Sequence, residues 1–166
     1  HDERDWKFAK KHKIPIKQVI APLFITTEGK DAVKKDKPNV VRDSVFAIVN
    51  HWKEDKYFCL DWKKFGWKSL VMGGVDEGES AENAAVREIK EETGYQEIKS
   101  VSSIGFENHG NYYVEHKEVN RYAKSKTFLI KLNSGKYIEP KKEHGENHDG
   151  IWVSKEEVAN FLNLPN

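Results

Sequence analysis

The chain has 166 residues, 33% of them charged, with a formal net charge of +1. That length suits one domain of ordinary size with a real core, and the interspersed signs exclude a strong one-signed field toward nucleic acid or membrane. The single Cys59 excludes an internal disulfide and a cysteine-based zinc site.

No apolar run approaches the length of a membrane span and no leader is visible, so the chain is expected in the cytoplasm. His1 in place of an initiator Met implies a piece of something longer. In chain order, residues 1–20 open with a His-Asp-x-x-Asp loop, continue as a helix around Phe8-Ala9-Lys10-Lys11 and end as a strand from Pro15 to Ile20. Read alone, this is a basic surface helix with Asp5 as its N-cap, then a short strand. An apolar patch, Ala21 to Ile25, runs into a connection marked by Gly29, separated Lys-Asp pairs and Pro38, and a junction is expected within 21–40.

Ser44 to Asn50 is an apolar strand, His51 to Lys56 a turn, and Tyr57 to Trp62 its hairpin partner. Cys59 reads as a buried thiol of that strand. Lys63 to Gly66 turns the chain into a strand from Trp67 to Met72. After Gly94, Gln96 to Phe106 alternates as a strand, and the polar Glu107 to Asn120 reads as a loop with ragged strand ends. Ser125 to Leu132 is a strand, Asn133 to Asp149 a long loop and Gly150 to Val153 a short strand. Ser154 with Glu157 forms a capping box for a last helix whose apolar face is Val158, Phe161 and Leu162. Strands, helix, strands, helix make an α+β layered domain.

Gly73 to Tyr95 (GGVDEGESAENAAVREIKEETGY) organises the chain. Gly73, Gly74 and Gly78 make a loop, Ser80 is an N-cap, and Gly94 stands where a helix stops. Glu88, Glu91 and Glu92 fall at i, i+3 and i+4 and share one face, with Ala81 and Ala84 leaving room beside them. Ala85, Val86, Ile89 and Thr93 form the neighbouring stripe that packs on a core. Three like charges on one face repel, and a divalent cation reverses that cost; hard oxygen ligands suit Mg²⁺ or Mn²⁺. A solvated acidic face explains a lone EIKEE equally well.

The wider spacing decides between them. Gly73, five residues, Glu79, seven residues, then Arg87-Glu88-Ile89-x-Glu91-Glu92-x-Gly94 and the bulky Tyr95 resemble a complete Nudix box. Seven identities at ordinary residue usage make a chance match about one in 10⁸ per start position. Val71-Met72 precede Gly73 where members commonly carry Pro-Gly, and Tyr95 replaces the usual aliphatic residue.

The resemblance implies the Nudix fold, a mixed β-sheet sandwiched between α-helices, and hydrolysis of a nucleoside diphosphate linked to another group. It implies Mg²⁺ (or Mn²⁺) held by Glu79, Glu88, Glu91 and Glu92 with the Gly73 carbonyl, and catalysis by Glu88 and Glu91 with Arg87 bracing a carboxylate. An outside base in this family often comes from the late loop, where Glu143, Glu146 and Asp149 are candidates. His144 and His148 stand at i, i+4 in that loop, but Gly145 argues against a helix, and a solvated loop is the expectation for both. His109 and His116 carry no assignment. Trp62 and Trp67 are candidates to stack on a base and Lys68 to meet phosphate, although aromatic strand residues more often belong to a core.

Residues 1–20 resemble the stretch that closes the editing domain of a leucyl-tRNA synthetase. In that family the second Asp, here Asp5, is expected to hold the amino group of a mischarged amino acid, and Asp2 matches the first. The threonine-rich part of an editing pocket is absent, so this chain is not expected to edit alone. The organisation expected is an editing-domain end over 1–24 and a Nudix domain over 25–166, with tRNA and ATP as partners only through a parent synthetase. Two functions follow: a Mg²⁺-dependent pyrophosphohydrolase embedded in a synthetase, or a non-catalytic nucleotide- or tRNA-binding insert of a leucine-tRNA ligase.

Overall fold

The computed structural model describes residues 3–15, 23–63, 66–140 and 148–162. Its elements in order are α1 (Glu3–Lys11), β1 (Leu23–Thr26), a 3₁₀ turn (Gly29–Asp31), β2 (Asn39–Asn50), β3 (Lys56–Trp62), β4 (Trp67–Ser69) and β5 (Val71–Gly74). They continue with α2 (Ala81–Glu88) and a π-helical turn (Ile89–Thr93), then β6 (Ile98–Val114), β7 (Val119–Leu132), β8 (Asp149–Ser154) and α3 (Lys155–Leu162). The expected strand from Pro15 to Ile20 lies largely outside the described residues. Asp5 stands inside α1, which begins at Glu3, and not at its cap.

β2 is the axis of the sheet. Its whole length pairs in parallel with β7, from Asn39 opposite Asn120 to Asn50 opposite Lys131. Its other edge takes β5 antiparallel at Ser44 to Ala47 and β3 at Val49 and Asn50. The order is β1-β6-β7-β2-β3-β4, with β8 added on β3. Alternation explains the seating: Val45, Ala47 and Val49 are buried while the residues between them are half-exposed. Those three join Leu60, Val71, Phe128, Ile130 and Leu132 with Ala84, Ala85 and Ile89 of the acidic helix in one core. Full burial of Leu60, Ile89 and Ile130 contributes about 1.5–3 kcal/mol each. Cys59 is buried in β3, and burial raises its thiol to about 11, the behaviour of a core residue. Ala84 belongs to the core and does not merely leave space beside the carboxylates.

Trp62 packs against the core, while Lys68 of β4 holds its ammonium 4.5 Å from the Phe161 ring of α3. At the start of α3 the Ser154 hydroxyl donates to Glu157 Oε2 at 2.7 Å, which pairs the two side chains of the expected capping box with each other.

The region from Glu107 to Asn120 is a correction. It is no loop: β6 and β7 form one long hairpin through Val114 opposite Val119, closed by the turn at Glu115–Lys117. Polar residues on both faces hid the alternation, and the ladder is supplied by partners distant in sequence. A register shift between Ser103 and Glu107, with Gly105 at φ +82°, lets the strand bend midway. β1 then adds in parallel at Asn108 to Asn111. Asn120, 1% exposed, accepts from the Lys34 N–H and donates to the Lys34 and Lys37 carbonyls, fastening the connection before β2.

Candidate active site

The site begins where β5 leaves the sheet. The Val75 N–H donates to the Asp43 carbonyl, and the loop closes through Glu79 N–H to the Asp76 carbonyl, both at 3.0 Å. Gly78 sits at φ +79°, which favours glycine. Ser80 caps α2 by accepting from the Asn83 N–H at 3.1 Å, and Gly94 at φ +78° ends the helical run. Both ends therefore follow the sequence reading.

The middle does not follow an ideal α-helix. From Ile89 to Thr93 the chain forms a π turn, whose wider winding turns Glu91 and Glu92 away from the strict i, i+3, i+4 alignment with Glu88. Glu88 is buried. Glu92 is also largely enclosed, whereas the Glu91 side chain is 57% exposed. Among the described residues no three His, Cys, Asp or Glu side chains are grouped closely enough to hold a metal ion as they stand.

What gathers the carboxylates is Arg87. Its Nε and Nη2 donate to the two oxygens of Glu79 at 3.1 and 3.0 Å, a bidentate pair. Nη1 donates to Glu88 Oε1 at 2.8 Å and Glu91 Oε2 at 2.9 Å, and Nη2 also reaches the Gly74 carbonyl at 2.8 Å. This extends the brace on one carboxylate that the sequence suggests: the bidentate pair is with Glu79, and Glu88 and Glu91 are held as well. The Glu79 hydrogen bond, with those to Glu88 and Glu91, pushes the guanidinium still higher, and Arg87 in turn lowers Glu79. Glu88 behaves oppositely: burial raises its carboxyl to about 7 despite the hydrogen bond and charge of Arg87.

Gly73 makes room for Glu88. A Cβ there would lie 1.8 Å from the Glu88 carboxyl carbon. Gly74 likewise lies under Arg42, whose Nη2 stands 3.6 Å from Asp76 Oδ1. Three carboxylates share one positive group, with a glycine seat for the most buried of them, and by ligand type such hard oxygens suit a divalent cation, although as they stand they are not grouped to hold one. The guanidinium of Arg87 is the charge they surround in this structure.

Glu92 has a different partner. Its Oε2 contacts Nε2 of His148, a residue only 5% exposed. Sequence reasoning left His148 in a solvated loop; its position immediately before β8 is the signal that could have moved it inside. The β8 start is pinned by Asp149 opposite Asp61 and by an ion pair between Asp149 and Lys63. The His148 ring meets the edge of Trp62 at 4.7 Å, and Trp62 stacks on Trp67 at 5.2 Å and 4°. Trp62 donates to Ser69 Oγ at 2.9 Å. The two tryptophans thus stack on each other, and Lys68 faces α3. Glu143, Glu146, His144 and Asp2 lie outside the described residues, as does the Asp5 side chain. His109 lies between Glu107 at 2.5 Å and the Tyr122 hydroxyl at 2.7 Å, on the far half of the β6–β7 hairpin, and His116 is exposed in the turn.

Fold and site together define a class: an α+β domain whose mixed sheet carries an acidic loop and helix packed on its central strands. The family model described as NUDIX domain matches residues 42–166, and the chain belongs to that family. A second model, described as leucyl-tRNA synthetase, editing domain, matches residues 1–56. The chain is 30% identical over 100 residues to an RNA pyrophosphohydrolase of Campylobacter jejuni subsp. doylei, covering 55% of this chain and 61% of that protein. It is 26% identical over 180 aligned positions to a leucine–tRNA ligase of Chloroherpeton thalassium, covering 86% of this chain and 22% of the ligase. The chain therefore spans less than two thirds of either relative. Among solved structures, the E. coli dihydroneopterin triphosphate pyrophosphohydrolase superposes with a TM-score of 0.55 at 16% identity, over 74% of this chain and 88% of that one. That likeness concerns the fold. No described helix is long and apolar enough to cross a membrane.

Proposed function

We propose that this domain is a Mg²⁺-dependent Nudix hydrolase that cleaves the pyrophosphate of a nucleoside diphosphate linked to another group. The observation that carries the reading is the convergence of Glu79, Glu88 and Glu91 on one positive charge beside the glycine seat at Gly73. When bound, a divalent cation neutralises phosphate charge and acidifies a water. The chain's own residues do the rest. Glu79, Glu88, Glu91 and Glu92 offer oxygen ligands, joined by the Gly73 carbonyl. Glu88 and Glu91 handle the proton of the attacking water. Arg87 braces Glu79 by its bidentate pair and keeps the carboxylates from repelling one another. Trp62 and Trp67 are the proposed platform for a base, reached from Glu92 through His148.

We place this hydrolase within a longer leucyl-tRNA synthetase-type chain in the cytoplasm, with residues 1–24 as the end of an editing-domain segment and 25–166 as the Nudix domain. Support comes from the ligase relative, whose match extends over 86% of this chain, beyond the editing-domain segment. tRNA and ATP would be partners of that parent.

The test is release of nucleoside monophosphate from a panel of dinucleotides and nucleotide sugars, and of pyrophosphate or phosphate from 5′-triphosphorylated RNA, with Mg²⁺. Turnover is expected from the unaltered chain and its loss from a Glu91→Gln, Glu92→Gln double variant. Full activity in the double variant would overturn the assignment of the site. A panel without turnover, together with an editing or aminoacylation defect on deleting 25–166 from the parent, would favour a non-catalytic insert.

A further inference from the structure

We infer that His148 is a positioning residue for Glu92: it holds one oxygen of that carboxylate so that the other is presented to a bound cation. The inference rests on the hydrolase reading above and adds a residue from outside the acidic helix.

Glu92 stands apart from the group around Arg87. No hydrogen bond joins it to the guanidinium; its Oε2 contacts His148 Nε2 instead. Two side chains that are both largely enclosed, at 5% and 12% exposure, meet without the freedom of a surface pair. Contact through Oε2 leaves Oε1 uncommitted by that interaction, and a carboxylate fixed by one oxygen can ligate with the other.

His148 is itself held. Its ring packs edge-on against Trp62 at 4.7 Å, and Trp62 is locked by its stack on Trp67 and its hydrogen bond to Ser69. Asp149, the next residue, pairs across the ladder with Asp61 and by charge with Lys63. The imidazole is therefore held at the start of β8, beside β3, and not on the acidic helix itself. Glu92 lies in the π turn, whose wider winding shifts its side chain from the line an α-helix would share with Glu88, and His148 is the partner it meets there. Groups that hydrogen-bond a ligating carboxylate fix its orientation, and their loss typically weakens metal binding by roughly 10–100-fold.

The experiment compares Mn²⁺ affinity, by electron paramagnetic resonance of the full 166-residue chain, with kcat and KM on a substrate found in the panel above. His148→Leu keeps bulk against Trp62 and removes the ring nitrogens; His148→Gln restores a nitrogen donor. Thermal melts confirm that each variant is folded, and the Gln variant carries the test if Leu does not fold. Mn²⁺ binding should weaken about 10-fold or more in His148→Leu. kcat should fall further than KM rises, and Gln should recover most of both. Mn²⁺ binding in folded His148→Leu as tight as in the unaltered chain, or tighter, overturns the inference alone. So does a Gln variant that is folded but binds no better than Leu, or, where Leu does not fold, one with no more than a tenth of the unaltered affinity. No Mn²⁺ binding by the unaltered chain overturns the hydrolase reading with it.

Discussion

The carboxyl group of Glu88 lies directly over the α-carbon of Gly73, so close that a Cβ would fall 1.8 Å from its carboxyl carbon. A strand end and a helix are brought together there by the absence of one methyl group. Gly73→Ala should therefore displace Glu88 by about the width of that methyl. Misplacement on that scale lowers turnover by about 10²-fold, and overpacking costs about 1–3 kcal/mol of stability. Steady-state kinetics and a urea melt check both. Unchanged kcat would mean that Glu88 does not need this seat.

Arg87 ties three carboxylates and a backbone carbonyl to one guanidinium. Its loss leaves Glu79, Glu88 and Glu91 facing one another. In EDTA, Arg87→Ala should lose roughly 1–3 kcal/mol, the scale of hydrogen bonds to charged groups. Arg87→Lys should recover only a part, since an ammonium cannot pair with both Glu79 oxygens and still reach the others. Adding Mg²⁺ should narrow the gap between variant and unaltered chain, because the cation supplies charge to the same oxygens. Melts with and without Mg²⁺ read this directly.

Burial lifts Glu88 to about 7 from an ordinary 4.5. Below pH 4.5 folded and unfolded chains both hold the proton. Between 4.5 and 7 the unfolded chain has released it while the folded chain retains it, so the metal-free fold loses stability as pH rises through that window. The loss is complete above 7 and amounts to no more than about 3 kcal/mol. Glu88→Gln should flatten this decline. Chemical denaturation in EDTA at pH 4.5, 5.5, 6.5 and 7.5 tests the sign: stability rising across the same window in the unaltered chain, relative to the variant, contradicts it.

Asn120 is buried and satisfied by the segment from Lys34 to Asn39, including Asn39 Oδ1 at 3.2 Å. Asn120→Leu fills the space but leaves two carbonyls and an N–H without their partner. The expected destabilisation is about 1–3 kcal/mol for each buried group left without water. Hydrogen exchange should localise the loosening to residues 34–39 and spare α2.

The loop, cap and stop of the acidic helix were legible because Gly78, Ser80 and Gly94 act through local backbone chemistry that a sequence displays. β2 and β3 were legible as the apolar runs Ser44 to Asn50 and Tyr57 to Trp62, but not their buried faces: Phe46 and Ile48 are as apolar as the buried Val45, Ala47 and Val49, and Cys59 is buried along with Phe58 and Leu60. The far half of the β6–β7 hairpin was not, because Glu107 to Asn120 is polar on both faces and its pairing comes from distant partners. The π turn at Ile89 was invisible as well, since a helical repeat read at 3.6 residues cannot announce one extra residue in a turn. His148 was missed because its burial depends on β8 docking beside β3, which no local pattern encodes. Arg87 was read as a brace for a carboxylate, Glu91 being the one in reach along the helix, and its wider reach toward Glu79 and Gly74 depends on how the loop closes.

The most direct test of the central claim is a calorimetric titration of the chain with Mg²⁺ and Mn²⁺, with and without a non-hydrolysable nucleoside diphosphate derivative. Binding of the cation, strengthened by nucleotide and abolished in a Glu88→Gln, Glu91→Gln double variant, is the expected result. No heat of binding in any condition, or equal binding by the double variant, would contradict it.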